Sequence, residues 1–336
     1  MPTISIAFQT NKRASEYVAL AKHVDQYDFD TVSVYCDAPY HPSYGPLILM
    51  APHIRRARLG TAAVSVARMA PIDIAADAAL LADVAQAGTY LGISRGAWLA
   101  DHGISEPSKP IQAIRETIAI VRALWSGASA GYQGQIYQIA EHVKAGYPLP
   151  SQPIPIMIGS WGAKLCALAG ELADEVKVGG SANPDVIPYM REYIAVGEAL
   201  AGRSPGSVQL ALGAVTVIDH DRQAARQAAR QAAVLYLPVV APLDPSVQVD
   251  PELIGRLQRL ADAGDFAAGA RLISDDLLDK FAFSGDASDL IRQCEALYAA
   301  GADRIELGTP HGLTQAASGI DIIGTQVIPA LKSWLR

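Results

Sequence analysis

Short apolar runs rich in branched side chains alternate with longer amphipathic stretches along the whole chain, the pattern of parallel strands joined by crossover helices. TISIAF (3–8) is the first run. Behind it Tyr17, Leu20, Ala21, Val24 and Tyr27 recur at helical spacing, so ASEYVALAKHVDQY (14–27) predicts a helix lying on one face of a sheet. The same reading predicts strands at TVSVYC (31–36), ARLGTAAVSV (57–66), TYLGIS (89–94), IPIMIG (154–159), DEVKVGG (174–180), VQLALGAVTVI (208–218) and DRIELG (303–308). A helix follows the third strand at PIDIAADAALLADVAQ (71–86), entered through Pro71, where a missing N–H costs little. Another follows the fourth at PIQAIRETIAIVRALW (110–125). Two stretches break the alternation. Residues 126–153 carry Gly and Pro at intervals that suggest a hairpin-like excursion, and residues 222–283 are mostly helical, with abundant Ala and Gln. Eight strand-plus-helix units predict a closed (β/α)8 TIM barrel of α/β class, read as one domain over 1–336 with insertions near 126–153 and 222–283; an open doubly wound sheet is the alternative.

Half of the residues are hydrophobic, enough for a substantial core in 336 residues. A net charge of −7, only 27 Lys and Arg and no basic run argue against a nucleic-acid groove or an anionic membrane surface as partner. Cys36, Cys166 and Cys294 are widely spaced and odd in number, outside any metal-ligand pattern, which fits a reducing compartment. The chain runs directly into TISIAF without a leader-like segment, and nowhere supplies the roughly 18 uninterrupted apolar residues of a membrane span. These features predict a cytoplasmic protein.

In such a barrel the working face is the rim at the carboxyl ends of the strands. That rule selects Gln9, Asp37, Ser65 to Arg68, Ser94 to Trp98, Gly159 to Lys164, Gly179 to Ser181 and Thr309 to Gly312. After the fifth strand, Gly159, Ser160, Trp161 and Gly162 lead into a helix, leaving backbone N–H groups unpaired where the helix dipole favours an anion. The sixth ends similarly in Gly179, Gly180 and Ser181. Two glycine-containing rims on neighbouring strands suggest a phosphate, although glycines also simply end strands. Asp37 heads APYHPSYG (38–45), whose aromatics and prolines could wall a flat ligand; it equally suits an Asx turn. His41 and His311 fall on rim loops and are candidates for proton transfer. Arg68 and Arg95 follow strands as possible anion holders or as solvated surface residues. Gly92 and Gly96 do not fit G-x-G-x-x-G, and there is no nucleophile elbow, HExxH or metal-binding carboxylate cluster.

RLGTAAVSVARMAPIDIA (58–75), YLGISRG (90–96), PIPIMIGSWGAKLCALAGELADEV (153–176) and FSGDASDLIRQCEALYAAGADRIELGTPHG (283–312) occur in order and at family-like spacing. Through them the chain resembles the bacterial luciferase-like superfamily, within it the branch of reductases and dehydrogenases that use the deazaflavin coenzyme F420. The resemblance implies hydride transfer between the deazaflavin and a small organic substrate, and a homodimer. It places a bulge with a non-prolyl cis peptide within Ala62, Ala63 and Val64 behind the ring, with Ser94 beside it and Asp37 at the ring's polar edge. The cofactor phosphate falls at Gly159, Ser160, Trp161, Gly162 and Gly179, flanked by Ala163 and Gly180. Two positions depart from relatives of the sugar-phosphate dehydrogenase type: Ala38 replaces a histidine after the strand-two aspartate, and Ala97 an acidic residue after the strand-four glycine. That enzyme's chemistry is therefore not carried over, and His41, Tyr40 or Tyr44 become candidate proton donors. An FMN-dependent monooxygenase or reductase, and a non-catalytic flavin-binding relative, are the competing readings.

Overall fold

Eight runs of β-branched and other apolar residues form the barrel strands in the computed structural model, which describes residues 2–129 and 131–334. They are β1 (Thr3–Phe8), β2 (Thr31–Val34), β3 (Arg58–Thr61), β4 (Thr89–Ser94), β5 (Ile156–Gly159), β6 (Glu175–Gly179), β7 (Gln209–Ile218) and β8 (Arg304–His311). All pair in parallel and in chain order. β8 returns beside β1 with Thr3 opposite Arg304, closing the barrel. Helices cover the outside, so the strands are buried on both faces and read as continuous apolar runs.

The strand expectations hold, and the bulge with a non-prolyl cis peptide falls where the resemblance implies it: β3 stops at Thr61, the Ala62–Ala63 peptide is cis, and Val64–Ser65 then pairs with Ile93 and Ser94 of β4. Two features differ. β8 continues past residue 308 to His311, through a cis Thr309–Pro310 peptide, while its partner β7 shifts register between Val215 and Val217. An unpredicted strand, Ala282–Gly285, pairs with the end of β7 from Val215 to Ile218. Its sequence, AFSG, is too short to show a period against the helical stretch before it.

The first insertion holds a small hairpin, Tyr132–Gln133 against Gln138–Ile139. Its turn is gripped by Glu116 of the helix Pro110–Trp125, whose carboxylate accepts from the amides of Gln135 (2.7 Å), Ile136 (3.0 Å) and Tyr137 (2.8 Å) and from Gln112 Nε2 (2.9 Å). Burial opposes ionisation, but these donors outweigh it and hold the carboxyl below its usual range. The stabilisation is therefore present above the ordinary glutamate pKa and is lost as pH falls through the lower folded value. Glu116→Gln presents an NH2 group to amide donors and is expected to cost about 1–3 kcal/mol. Chemical denaturation checks the loss, and faster limited proteolysis within residues 131–140 checks its location.

The second insertion is helical as expected: Arg222–Val240, Pro251–Asp262, Phe266–Ala270 and Asp275–Phe281. The Asp221 side chain caps the first helix by accepting from the Ala224 amide at 3.0 Å. Ala225, Ala229, Ala233 and Leu237, four residues apart, are buried in a second apolar cluster. Asn183, buried in the loop after β6, ties this insertion to the barrel by donating to Asp244 (2.9 Å) and Ser246 (2.8 Å). The end of the long helix thereby stands over the carboxyl ends of the strands. Among the described residues, no helix is long and apolar enough to cross a membrane.

Candidate cofactor and active site

The carboxyl-end face opens into a cavity of about 840 Å³. Its lining includes Asp37, Ala62, Ala63, Ser94, Gly159, Ser160, Trp161, Gly162, Ala163, Gly179 and Gly180, so one space gathers nearly all the expected cofactor residues from five strands. Two expected residues lie outside it. Val64 is fully buried, because the break at Ala62–Ala63 returns the chain to regular pairing and turns this side chain into the core. His41 is exposed beyond the lining, its amide donating to the Thr10 carbonyl at 3.1 Å.

The rim after β5 has the chemistry of an anion site. Ser160 N donates to Lys177 O at 3.0 Å, extending the β5–β6 pairing by one residue, and Gly162 then caps the helix Ala163–Leu172. Ser160 Oγ accepts from the Gly162 amide at 3.1 Å. Among the described residues, the amides of Trp161, Ala163 and Lys164 have no protein acceptor at this helix start. A Cβ built on Gly162 or Gly179 meets nothing within 4 Å, and one on Gly159 makes only ordinary contact with Ser94 at 3.4 Å. The fold does not need glycine at these positions for packing; their lack of side chains leaves a cradle open. Trp161 spans the two rims, its indole Nε1 donating to Gly179 O at 2.8 Å.

The rim after β6 contributes differently from expectation. The amides of Gly180 and Ser181 both donate to Gly213 O, at 2.6 and 3.0 Å, and are not free for a ligand. Gly180 adopts φ +81°, and a Cβ there would press on Val240 at 3.0 Å, so its glycine serves the turn. The second rim is therefore open at Gly179 with its next two amides taken, whereas the first keeps unpaired amides among the described residues.

Asp37 is oriented by Gln9, whose Nε2 donates to Oδ2 at 2.9 Å; Gln9 Oε1 in turn accepts from the Thr10 amide at 2.8 Å. Arg68 and Arg95 line the cavity, yet each is engaged: Arg68 donates to the Cys36 carbonyl, and Arg95 pairs with Glu106 at 2.7 Å. The proposed replacement proton donors do not reach the space. Tyr40 is exposed like His41, whereas Tyr44 is buried outside the lining, its hydroxyl without a partner among the described residues. His311 is also buried, packed 5.2 Å from the Phe8 ring. Burial lowers its pKa to about 4, so it is neutral near pH 7 and serves the core.

Sequence reasoning missed the floor and one wall. Tyr35 and Lys177 line the floor; Tyr236, Val239, Val240 and Leu243 bring apolar surface from the second insertion, and Trp98, which the strand-end rule does select, adds more from the β4 loop. Beneath the floor, Arg304 bonds Glu175 through Nε (3.0 Å), and through Nη1 it bonds Glu306 (2.9 Å) and Ser5 Oγ (3.0 Å). Ser33 Oγ donates to Glu306 at 2.6 Å, and Lys177 pairs with the other Glu306 oxygen. A signal was available: Glu175 with Lys177, and Arg304 with Glu306, stand two residues apart on buried strands, a spacing that aims both side chains into the barrel.

The sequence matches the family described as luciferase-like monooxygenase over residues 3–304. The chain belongs to that family. It is 29% identical to the 5,10-methylenetetrahydromethanopterin reductase of Archaeoglobus fulgidus over 298 residues, 86% of this chain and 87% of the relative. The solved structure of the coenzyme F420 dependent tetrahydromethanopterin reductase from Methanopyrus kandleri superposes with a TM-score of 0.88 at 22% identity, covering 98% of this chain and 99% of that one. An F420-dependent secondary alcohol dehydrogenase in complex with an F420–acetone adduct reaches a TM-score of 0.78 at 18% identity, covering 98% and 99%. At those identities the two structures establish the shared barrel.

Proposed function

We propose that the protein is a coenzyme F420-dependent oxidoreductase that moves a hydride between the deazaflavin and a small organic substrate. The curated relative is a methylenetetrahydromethanopterin reductase, and both structural neighbours carry the F420 coenzyme in their descriptions. The observation that carries the reading is the rim after β5: free amides at a helix start, beside space that three glycines leave open in a cavity of about 840 Å³. Trp161, Ala163 and Lys164 would hold the cofactor phosphate through their backbone N–H groups, with Ser160 Oγ beside them. Ala62, Ala63 and Ser94 are small and line the same space, where the ring would lie, and Asp37, held by Gln9, would accept a hydrogen bond from its polar edge. When bound, the deazaflavin supplies a two-electron hydride carrier, with carbon in place of the flavin N5. The protein's part is position and electrostatics: Trp98, Tyr236, Val240 and Leu243 line the cavity with apolar surface that would exclude water from the substrate side.

The reading includes a single working domain, a homodimer and a cytoplasmic setting, the last supported by three buried, unpaired cysteines. Sedimentation of the purified protein checks the dimer. Titration of the apoprotein with F420 and with FMN, followed by fluorescence quenching, tests the cofactor assignment. Saturable binding with F420 favoured is expected; a preference for FMN, with oxygen consumption by the reduced complex, overturns it.

A further inference from the structure

Five charged side chains meet inside the barrel, and their charges do not cancel. Glu175 and Glu306 supply two negative charges; Arg58, Arg304 and Lys177 supply three positive ones. Arg58 and Arg304 stand at the first residues of β3 and β8, level with the start of β6, on the side away from the cavity. Arg58 satisfies Glu175 at 2.9 Å, and Arg304 bridges both carboxylates. Lys177 lies two residues further along β6, and of the three cations it alone lines the cavity. Its side chain is 8% exposed, and its ammonium bonds Glu306 and lies 5.2 Å from the centre of the Tyr35 ring. An ammonium has three donors, and among the described residues one carboxylate takes only part of that capacity. Glu306 is itself shared with Arg304 and Ser33. The surplus positive charge is thus placed at the cavity floor.

We infer that Lys177 is a positioning residue for an anionic ring, stabilising negative charge spread over the cofactor from beneath the floor of the cavity. The inference rests on the deazaflavin reading. In its oxidised form that ring carries a hydroxyl whose ionisation delocalises charge over the fused system, and a desolvated cation favours the ionised form. The other groups facing Lys177 set the balance. Glu306 on β8 and Tyr35 after β2 touch it directly; Arg304 adjoins Glu306 and Glu175, while Asp37 after β2, Tyr90 on β4 and Tyr236 on the long insertion helix neighbour Tyr35. Burial, followed by the neighbouring Glu306, pushes the Tyr35 hydroxyl well up. Burial likewise raises Tyr90 and Tyr236, so the three tyrosines stay neutral and leave the surplus intact. Asp37 opposes it from the rim.

The test reads the bound chromophore by absorbance during a pH titration of the F420 complex. In the wild type the ring is expected to ionise at a lower pH than free F420, and Lys177→Met to raise the bound midpoint by about one unit or more. Lys177→Arg keeps the charge and should keep the wild-type midpoint. Glu306→Gln releases the ammonium from its carboxylate and should lower the midpoint further. A Lys177→Met complex that titrates with the wild type overturns the inference. If circular dichroism shows that this variant does not fold, a Glu306→Gln midpoint at or above the wild-type value overturns it instead, as does a wild-type midpoint equal to that of free F420. Failure of wild-type protein to bind F420 overturns the deazaflavin reading and, with it, the role of Lys177; normal binding with unmoved midpoints overturns only the latter.

Discussion

Replacing Gly162 with aspartate is expected to leave the protein at least as stable as the wild type while weakening F420 binding by about 100-fold. The two effects separate because the position has two roles. As the N-cap of the helix Ala163–Leu172, residue 162 has extended backbone angles, φ −84° and ψ 137°, and no side-chain cap. Aspartate is among the preferred residues there, stabilising by a few tenths of a kcal/mol over glycine. A Cβ at this position meets nothing within 4 Å, so the carboxylate adds no clash. It occupies the cradle and takes up amides that would otherwise serve the cofactor phosphate. Hydrogen bonds to a charged group contribute about 1.5–3 kcal/mol each. Loss of about 3 kcal/mol corresponds to roughly 100-fold in affinity. Gly162→Asn, an equally good cap without the charge, should lose less affinity. Paired denaturation curves and cofactor titrations check both halves; an aspartate variant that binds F420 like the wild type places the phosphate elsewhere.

Arg304→Met is expected to have the largest effect on stability. The guanidinium is fully buried and bonded to both interior carboxylates, and methionine fills much of its volume without its charge. Glu175 retains Arg58 and Glu306 retains Lys177, but both carboxylates remain in low dielectric with fewer donors. Removing one partner of a buried ion pair typically costs about 3–5 kcal/mol. The network also predicts a direction with pH. Burial works against the Glu306 charge, yet Lys177 and Arg304 outweigh it and hold its pKa at about 2, below its ordinary value of 4.5. Its contribution to stability is present above 4.5 and drains away as pH falls toward 2. Urea unfolding at pH 7 and at pH 4 should show the wild type losing stability on acidification, with the variant already lowered at pH 7.

The barrel was legible because each strand is a run of branched apolar residues followed by an amphipathic helix, a contrast that survives without any alignment. Strand ends were less so. The break after Thr61 was legible only through the family resemblance, since Ala62 and Ala63 carry no local signal of a turn, and the short strand Ala282–Gly285 is defined only by its pairing with β7. The cradle after β5 was readable from Gly159, Ser160 and Gly162 standing before a helix. What sequence could not show is that Gly213 consumes the amides of Gly180 and Ser181, since hydrogen bonds between distant segments leave no local pattern. Nearness to Asp37 along the chain points to His41 and Tyr40, yet the loop carries both to the surface. Lys177 sits within a barrel strand, where only its spacing from Glu175 reveals that it points inward.

The central claim is that the helix start after β5 grips a phosphate on a flat redox cofactor. Its most direct test compares the Kd of F420 with that of the same deazaflavin lacking the phosphate and the chain beyond it, measured by fluorescence quenching at fixed ionic strength. Two charge-assisted hydrogen bonds lost at about 1.5 kcal/mol each predict that the truncated form binds roughly 100-fold more weakly. Equal affinity for the two forms contradicts the account.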